Sequence, residues 1–347
     1  MVKFGAVAGV LGKKYGDKQI RRGNQFVDFE RLSTGIFPFD LALGGGFPQG
    51  KMHELRGPES SGKTTLCLCM VALQQKLQLE KQFVWIDAEH SFDSVWAARL
   101  GVDLERLHVL TPLTGEQGVD FMEAATSADD VHMIVLDSIA ALAPTAEIEG
   151  NADRQQVGGN SQLVGRMMRK CMSNLITLSH QEAYPTILFI NQIRFKVGVQ
   201  FGNPETSPGG KTRDHYCNII ARIYGSDVIK KDVSEANPAV KDVTVSLKKW
   251  RCPIVGKTTK FSYVLIPHED YEVGQSSWVN TTLAYMKKYG LLVKGKSKWE
   301  FGGQEYKTQQ LIIDLLTEDV KLRSEVQAYL IKQAVLSENA IPPQEDV

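Results

Sequence analysis

An excess of charge of either sign is missing from this chain. It carries 40 Lys and Arg residues against 40 Asp and Glu, a formal net charge of zero over 347 residues. No overall field draws it to a polyanion, so any nucleic-acid contact has to come from local basic clusters. Cysteine is scarce: Cys67, Cys69, Cys171, Cys217 and Cys252 are the five. No two are spaced C-x-x-C and the number is odd. That pattern argues against a disulfide framework or a structural zinc site and fits a reducing, cytoplasmic setting. Each thiol is expected to act as a small buried apolar side chain. Long apolar runs are absent too. No stretch approaches the roughly 20 residues of a membrane span, so no membrane partner is expected. Lys13 and Lys14 are not followed by an apolar core, so no signal peptide is expected either.

The remaining pattern divides the chain in three. Residues 1–30 read as a short helix, a turn at Gly16 and an extended stretch. Phe4, Val7, Val10 and Leu11 share helical spacing, and this apolar face packs either on a neighbouring molecule or on its own core. Residues 31–267 alternate strands and helices. Buried strands are expected at 83–88, 132–137 and 186–191, with helices at 64–80 and 161–178 and further strands at 218–224 and 243–249. Such alternation predicts an α/β fold with a mostly parallel central sheet covered by helices, ending in a more antiparallel style. Two polar, Gly-rich stretches, 148–160 and 194–213, break the rhythm; loops of that length inside a compact domain are functional or disordered. Residues 268–347 read as a small α+β domain. It holds short helices, a hairpin turning at Gly302-Gly303, helical pattern through 307–334 and a short polar tail.

One motif carries chemistry outright. Residues 57–65, Gly57-Pro58-Glu59-Ser60-Ser61-Gly62-Lys63-Thr64-Thr65, satisfy the phosphate-binding pattern G-x-x-x-x-G-K-T. A chance match in a chain of this size is expected at roughly one per cent. The run Met52 to Leu55 reads as an apolar strand entering the loop, and a helical pattern leaves it. Backbone N–H groups curl around phosphate there, and the helix N-terminus adds positive potential. Lys63 would neutralise the β and γ phosphates of ATP, and Thr64 would offer its hydroxyl to Mg²⁺. The segment Gly256-Lys257-Thr258 is a decoy, since the first glycine of the pattern is replaced by Arg251. Asp137, at the tip of strand 132–137, is placed as the second acidic element that holds Mg²⁺. Glu89, just past strand 83–88, is placed to orient and deprotonate water, or else to cap a helix.

Longer stretches carry a family resemblance. GPESSGKTT, IDAEH, IVLDSIAALAPTAEIEG and FINQIRFKVGVQFGNPETSPGG resemble the bacterial RecA recombinases, as does the lead-in LSTGIFPFDLALGGGFPQG. The similarity runs in register through most of 10–335. It departs near 178–185, which looks longer than usual, and near 250–256, which looks shorter. The resemblance implies a RecA-like P-loop NTPase core, an N-terminal polymerisation helix and strand, and ATP with Mg²⁺ as ligands. It gives Gly57, Glu59, Ser60, Ser61, Gly62, Lys63, Thr64 and Thr65 phosphate- and Mg²⁺-binding roles, and makes Glu89 the catalytic carboxylate. Asp93 and Trp96 would line the adenine pocket, where the family usually has Tyr in place of Trp96. Gln192 would sense the γ-phosphate. Lys249 and Arg251 would cap the triphosphate of an adjacent subunit. Arg169, Arg194, Gly209 and Gly210 would contact the DNA backbone, and Val157 and Val197 would wedge between base triplets.

The function implied is a DNA-dependent ATPase that forms a head-to-tail helical filament on single-stranded DNA and exchanges strands with homologous double-stranded DNA. Asp214 and His215 stand where the family usually has basic and aromatic residues, and Arg222-Ile223-Tyr224-Gly225 where it shows adjacent arginines. Both bear on capture of the duplex. A ring helicase of the same fold and a non-hydrolysing regulatory paralogue are the competing readings. The FINQIR stretch and its continuation weigh against the first. The joint presence of Lys63, Glu89, Asp137 and Gln192 weighs against the second.

Overall fold

The structure is a computed structural model that describes residues 3–16, 30–149, 159–179, 183–195, 205–228, 240–265 and 278–338. The extended stretch after Gly16, the centres of the two polar loops with Val157 and Val197, and the polar tail lie outside these residues.

Helix α1 (Phe4–Tyr15) stands first and ends at Gly16, where φ is 102°. Strands β1 (Arg31–Leu32) and β2 (Phe47–Pro48) pair antiparallel around α2 (Phe37–Leu43). The alternating core follows: β3 (Met52–Gly57), α3 (Lys63–Leu77), β4 (Gln82–Asp87), α4 (Ser94–Arg99), β5 (Leu107–Leu110), α5 (Gly115–Ser127), β6 (Val131–Asp137), α6 (Thr145–Ile148), α7 (Gly159–Ser179) and β7 (Thr186–Gln192). A small pair, β8 (Arg194–Phe195) and β9 (Glu205–Thr206), precedes α8 (Gly210–Tyr216), β10 (Ile219–Val228), β11 (Val240–Lys249) and β12 (Thr258–Val264). The chain ends in α9 (Val279–Lys288), β13 (Leu292–Lys294), β14 (Trp299–Phe301), β15 (Gln304–Tyr306), α10 (Gln309–Glu318) and α11 (Val320–Glu338).

Among the described residues the main sheet has the order β12-β11-β10-β3-β7-β6-β4-β5. From β10 to β5 every pairing is parallel, and the two pairings from β10 to β12 are antiparallel. This is the α/β architecture expected from the alternation. Strands β4, β6 and β7 carry consecutive apolar residues at 83–86, 133–136 and 187–190 because both faces are covered. Phe83, Trp85, Met133 and Val135 point to one face with Leu66, Met70 and Val71 of α3. Their neighbours Val84, Ile86, Ile134 and Leu136 point to the other with Met122 of α5 and Val164, Met168 and Cys171 of α7. Period-two alternation thus feeds two apolar layers rather than one.

A third apolar cluster joins Phe37 and Leu41 of α2 to Leu283, Met286, Ile312, Leu316 and Leu330, so the C-terminal elements bury their apolar faces against the lead-in helix. The hairpin at Gly302-Gly303 is part of a three-stranded sheet, β13-β14-β15.

Several expectations need correction. The segment 194–213 is not one structureless loop, because β8, β9 and the start of α8 occupy its ends. The run Met52 to Leu55 is not purely apolar: His53 and Glu54 are buried within it, each 0% exposed. Burial of the thiols holds for Cys67, Cys171 and Cys217, while Cys69 and Cys252 are only partly covered; no two of the five are joined in a disulfide. Burial pushes the Cys171 thiol up to about 12 and the Cys67 thiol well above its ordinary range. Both therefore behave as apolar groups.

Candidate functional site

The carboxyl ends of β3, β4, β6 and β7 lie side by side, with Gly57 opposite Gln192 and Asp87 opposite Asp137. Open parallel sheets bind ligands at this edge. The loop after β3 turns through Ser60 (φ 56°) and Gly62 (φ 89°) into α3. A side chain at Gly62 would overlap the Tyr263 hydroxyl, and one at Gly57 would overlap the Ile223 carbonyl. Both glycines are therefore required by close packing under the loop. From below, Lys241 Nζ donates to the Ser60 carbonyl at 2.7 Å and the Tyr263 hydroxyl to the Gly62 carbonyl at 3.2 Å. These two supports escaped sequence reading, because nothing local in the sequence links β11 and β12 to residues 60–62.

Lys63 is buried and folds back on its own loop, donating to the carbonyls of Gly57 (3.2 Å) and Pro58 (2.6 Å) and to Ser61 Oγ (3.3 Å). Burial holds its ammonium below the usual lysine range, against the attraction of Asp137 and Glu89. Thr64 Oγ1 donates to Asp137 Oδ2 at 2.9 Å. Burial lifts the Asp137 carboxyl to about 6, opposed by that hydrogen bond. Among the described residues no three His, Cys, Asp or Glu side chains converge as a cage. A hydroxyl beside one carboxylate is the donor set that fits Mg²⁺ carried in on phosphate oxygens, so Thr64 and Asp137 fit that ion.

Glu89 follows β4 and receives two hydrogen bonds on Oε1, from Ser138 Oγ and from Gln192 Nε2 at 3.1 Å. The backbone amides of Ala88 and Glu89 donate to the Asp137 carbonyl, which fixes the turn against β6. Among the described residues the cap of the following helix is not Glu89 but Asp93, whose side chain accepts from the Trp96 amide at 2.9 Å at the start of α4. His90 Nε2 meets the Pro112 carbonyl at 3.1 Å, a packing contact. Trp96 Nε1 lies 3.4 Å from Thr65 Oγ1, so the indole borders the phosphate-binding helix. One site therefore brings together Lys63, Thr64, Thr65, Glu89, Trp96, Asp137 and Gln192.

Lys249 and Arg251 are not part of it. Lys241, at one end of β11, touches the phosphate loop, and Lys249 lies eight residues along the strand, about 26 Å from Lys241 at 3.3 Å per residue. Lys249 Nζ donates instead to the carbonyls of Asp214 and His215 at the end of α8. Burial, and then the charge of Arg251, pushes its ammonium below the usual range.

Beside Gln192 the sheet edge opens into a cleft of about 450 Å³ lined by Leu142, Asn160, Arg194, Thr206, Gly209 and Gly210 among others. It lies between the two polar segments singled out in the sequence. The Asn160 side chain ties one wall to the carbonyl of Leu142 at 2.7 Å. Gly209 and Gly210 have φ of 92° and 65°, at the N-terminus of α8. Arg169, exposed on α7, is not among the lining residues. Arg222 forms an ion pair with Glu205 through Nη2, and its guanidinium sits 3.8 Å from the Tyr224 ring centroid, so one N–H edge and one face are engaged.

The RecA N-terminal domain family matches residues 5–264. Among solved structures, the crystal structure of the RadB recombinase is similar at 23% identity, over 66% of this chain and 94% of that one, with a TM-score of 0.46.

Proposed function

The chain belongs to the RecA family, and from that premise we propose that it is a DNA-dependent ATPase that forms a helical filament on single-stranded DNA. The filament would pair and exchange that strand with a homologous duplex. Recombination and repair, driven by ATP, are the work of the family as a whole. The observation that carries the finer reading is the hydrogen bond between Gln192 and Glu89 at 3.1 Å. One residue thereby touches the hydrolytic carboxylate and stands two positions before Arg194, which lines the cleft.

In this reading Lys63 leaves its own carbonyls to meet the β and γ phosphates, and the amides of residues 59–65 cradle them. Mg²⁺, held by Thr64 and Asp137, supplies charge neutralisation when bound. Glu89 orients a water and takes its proton, while Ser138 and Gln192 hold the carboxylate in place. Asp93 and Trp96 border the base. Lys249 and Arg251, remote from the phosphate loop of their own chain, act on the site of the next protomer, as cations supplied across a boundary do in related chemistry. Arg194, Gly209 and Gly210 follow the DNA backbone, with Arg169 more distant on α7. Val157 and Val197, outside the described residues, keep their wedge role on the resemblance alone. Helix α1 docks on the adjacent protomer. The setting is cytoplasmic; among the described residues no helix is long and apolar enough to cross a membrane.

Phosphate release measured with and without single-stranded DNA tests the ATPase. Electron microscopy separates the alternatives, since closed rings would support the helicase reading and open filaments on DNA the recombinase. Exchange between a circular single strand and a homologous linear duplex tests the complete activity. Failure to exchange, with filaments intact, would reduce the protein to a DNA-stimulated filament ATPase.

A further inference from the structure

Beneath the cleft lies a buried polar network that neither the ATP contacts nor the DNA contacts use. Glu54 of β3 and Arg213 of α8 are 0% and 3% exposed, with Arg213 Nε 3.0 Å from Glu54 Oε2. The Glu54 carboxyl sits above its ordinary range because burial disfavours its charge, opposed first by Arg213. Taking two charges out of water is unfavourable, and apolar side chains of the same volume would pack at least as well. Their presence calls for a role other than packing.

Asn191 supplies the connection. Its Nδ2 donates to Glu54 Oε1 at 2.9 Å and to the Pro208 carbonyl at 3.1 Å, while its Oδ1 accepts from the backbone amide of Gln192 at 2.9 Å. Arg213 Nη1 donates to the same Pro208 carbonyl, and Nη2 to Asp214 Oδ1 at 3.0 Å. Pro208 leads directly into Gly209 and Gly210 on the wall of the cleft. One carbonyl is therefore held by two side chains, one of which also grips the backbone of Gln192. Arg213 Nε and Glu54 Oε2 are within ion-pair distance but not aligned as a hydrogen bond, so charge attraction rather than a directional bond holds this contact. A contiguous chain of contacts of this kind can carry coupling between its two ends.

We propose that Glu54, Asn191 and Arg213 form a positioning device that converts the position of Gln192 into the placement of Pro208, Gly209 and Gly210, and so sets the grip on single-stranded DNA. The device rests on the reading of Gln192 as the γ-phosphate contact and of the cleft as the DNA site. Glu54 and Arg213 touch neither ligand; they act through the loop.

The test compares the affinity of the full-length protein for a fluorescein-labelled oligothymidylate with ADP and with a non-cleavable ATP analogue. The ratio of the two affinities is the coupling. Binding of a fluorescent ATP analogue without DNA is measured alongside. In the double variant Glu54→Leu with Arg213→Met, both charges go and volume is kept. We expect nucleotide affinity within about threefold of wild type, as for a distant site, and a coupling ratio lowered by about tenfold, within the usual range for linked sites. An unchanged ratio overturns the proposal. So does an equal loss of nucleotide and DNA affinity, which would mark the pair as merely structural. If circular dichroism shows that the double variant does not fold, Arg213→Lys decides. It keeps the charge but lacks the fork that spans Glu54 and Pro208, so the ratio should fall with nucleotide affinity intact; a wild-type ratio overturns the proposal. A wild-type protein with no coupling would instead sink the proposed function itself.

Discussion

Lys63, Glu89 and Gly62 each make a different demand on the phosphate site, and each can be tested alone. Lys63→Ala removes the cation that the loop holds against its own carbonyls; ATP turnover should vanish, and DNA-stimulated phosphate release at the wild-type rate would refute the assignment. Glu89→Gln keeps the shape and the partners of the side chain but not the base. ATP and DNA should still bind while turnover drops by about a hundredfold to ten-thousandfold, the range for a general base. Loss of both binding functions would make Glu89 structural. At Gly62 a methyl group would strike the Tyr263 hydroxyl in a backbone conformation that L residues avoid. Gly62→Ala should therefore lose nucleotide binding in equilibrium titrations, and adding Tyr263→Phe should restore part of it by clearing the hydroxyl. The residues that the structure brings together around the phosphate-binding motif were legible in the sequence because they belong to contiguous motifs. Lys241, Tyr263, Glu54, Asn191 and Arg213 were not, because their partners lie far along the chain. A charge inside the strand run Met52 to Leu55 was the available signal for Glu54.

At the scale of elements, α2 carries a titration that should be visible in stability. Asp40 accepts from Ser33 Oγ at 2.5 Å and the Thr34 amide at 2.7 Å, yet burial outweighs these bonds and lifts its carboxyl from 3.8 to about 6. The folded protein then holds a proton that the unfolded chain releases between these values. The corresponding stability is fully present below pH 4 and lost as the pH rises to about 6. It amounts to at most about 3 kcal/mol at 1.36 kcal/mol per pH unit. Asp40→Asn should remove this component from denaturation curves taken across the window; curves of identical pH dependence would count against it. In the pair β8–β9, Arg194→Ala should weaken binding to single-stranded DNA and lower the slope of log affinity against log salt by about 0.7, the value for one phosphate contact. Anisotropy titrations at several salt concentrations read both, and an unchanged slope would place Arg194 off the phosphates. Boundaries and loop ends were the weaker part of the sequence reading at this scale. Strands β10 and β11 extend beyond the expected 218–224 and 243–249, since pairing with each other continues past the buried sheet.

For the whole molecule, the proposed filament turns on α1 (Phe4–Tyr15). Phe4 and Val10 are 76% and 66% exposed, which favours the proposed neighbour over the protomer's own core as the destination of this apolar face. Deleting residues 1–16 should leave nucleotide binding intact, abolish filaments in electron micrographs and remove turnover, because Lys249 and Arg251 would have no neighbouring site to serve. A mixing experiment isolates the last point. Lys63→Ala and Lys249→Ala proteins, each inactive alone, should recover measurable hydrolysis together, since some interfaces then pair an intact phosphate loop with an intact cation. No recovery in mixed filaments would show that Lys249 does not act across the boundary.

The sequence by itself determined the class of fold and the motifs from which the proposed phosphate site is built. Apolar runs bounded by Gly-rich turns report burial on both faces of a sheet, and a nine-residue loop contains nearly all the groups that hold a triphosphate. Only the tertiary structure decided how far Lys249 lies from its own site, how Lys241 and Tyr263 hold up the loop, and how Glu54 meets Arg213. Each of these depends on which strands become neighbours. Strand order follows from the packing of whole layers and leaves no trace in the spacing of residues along the chain.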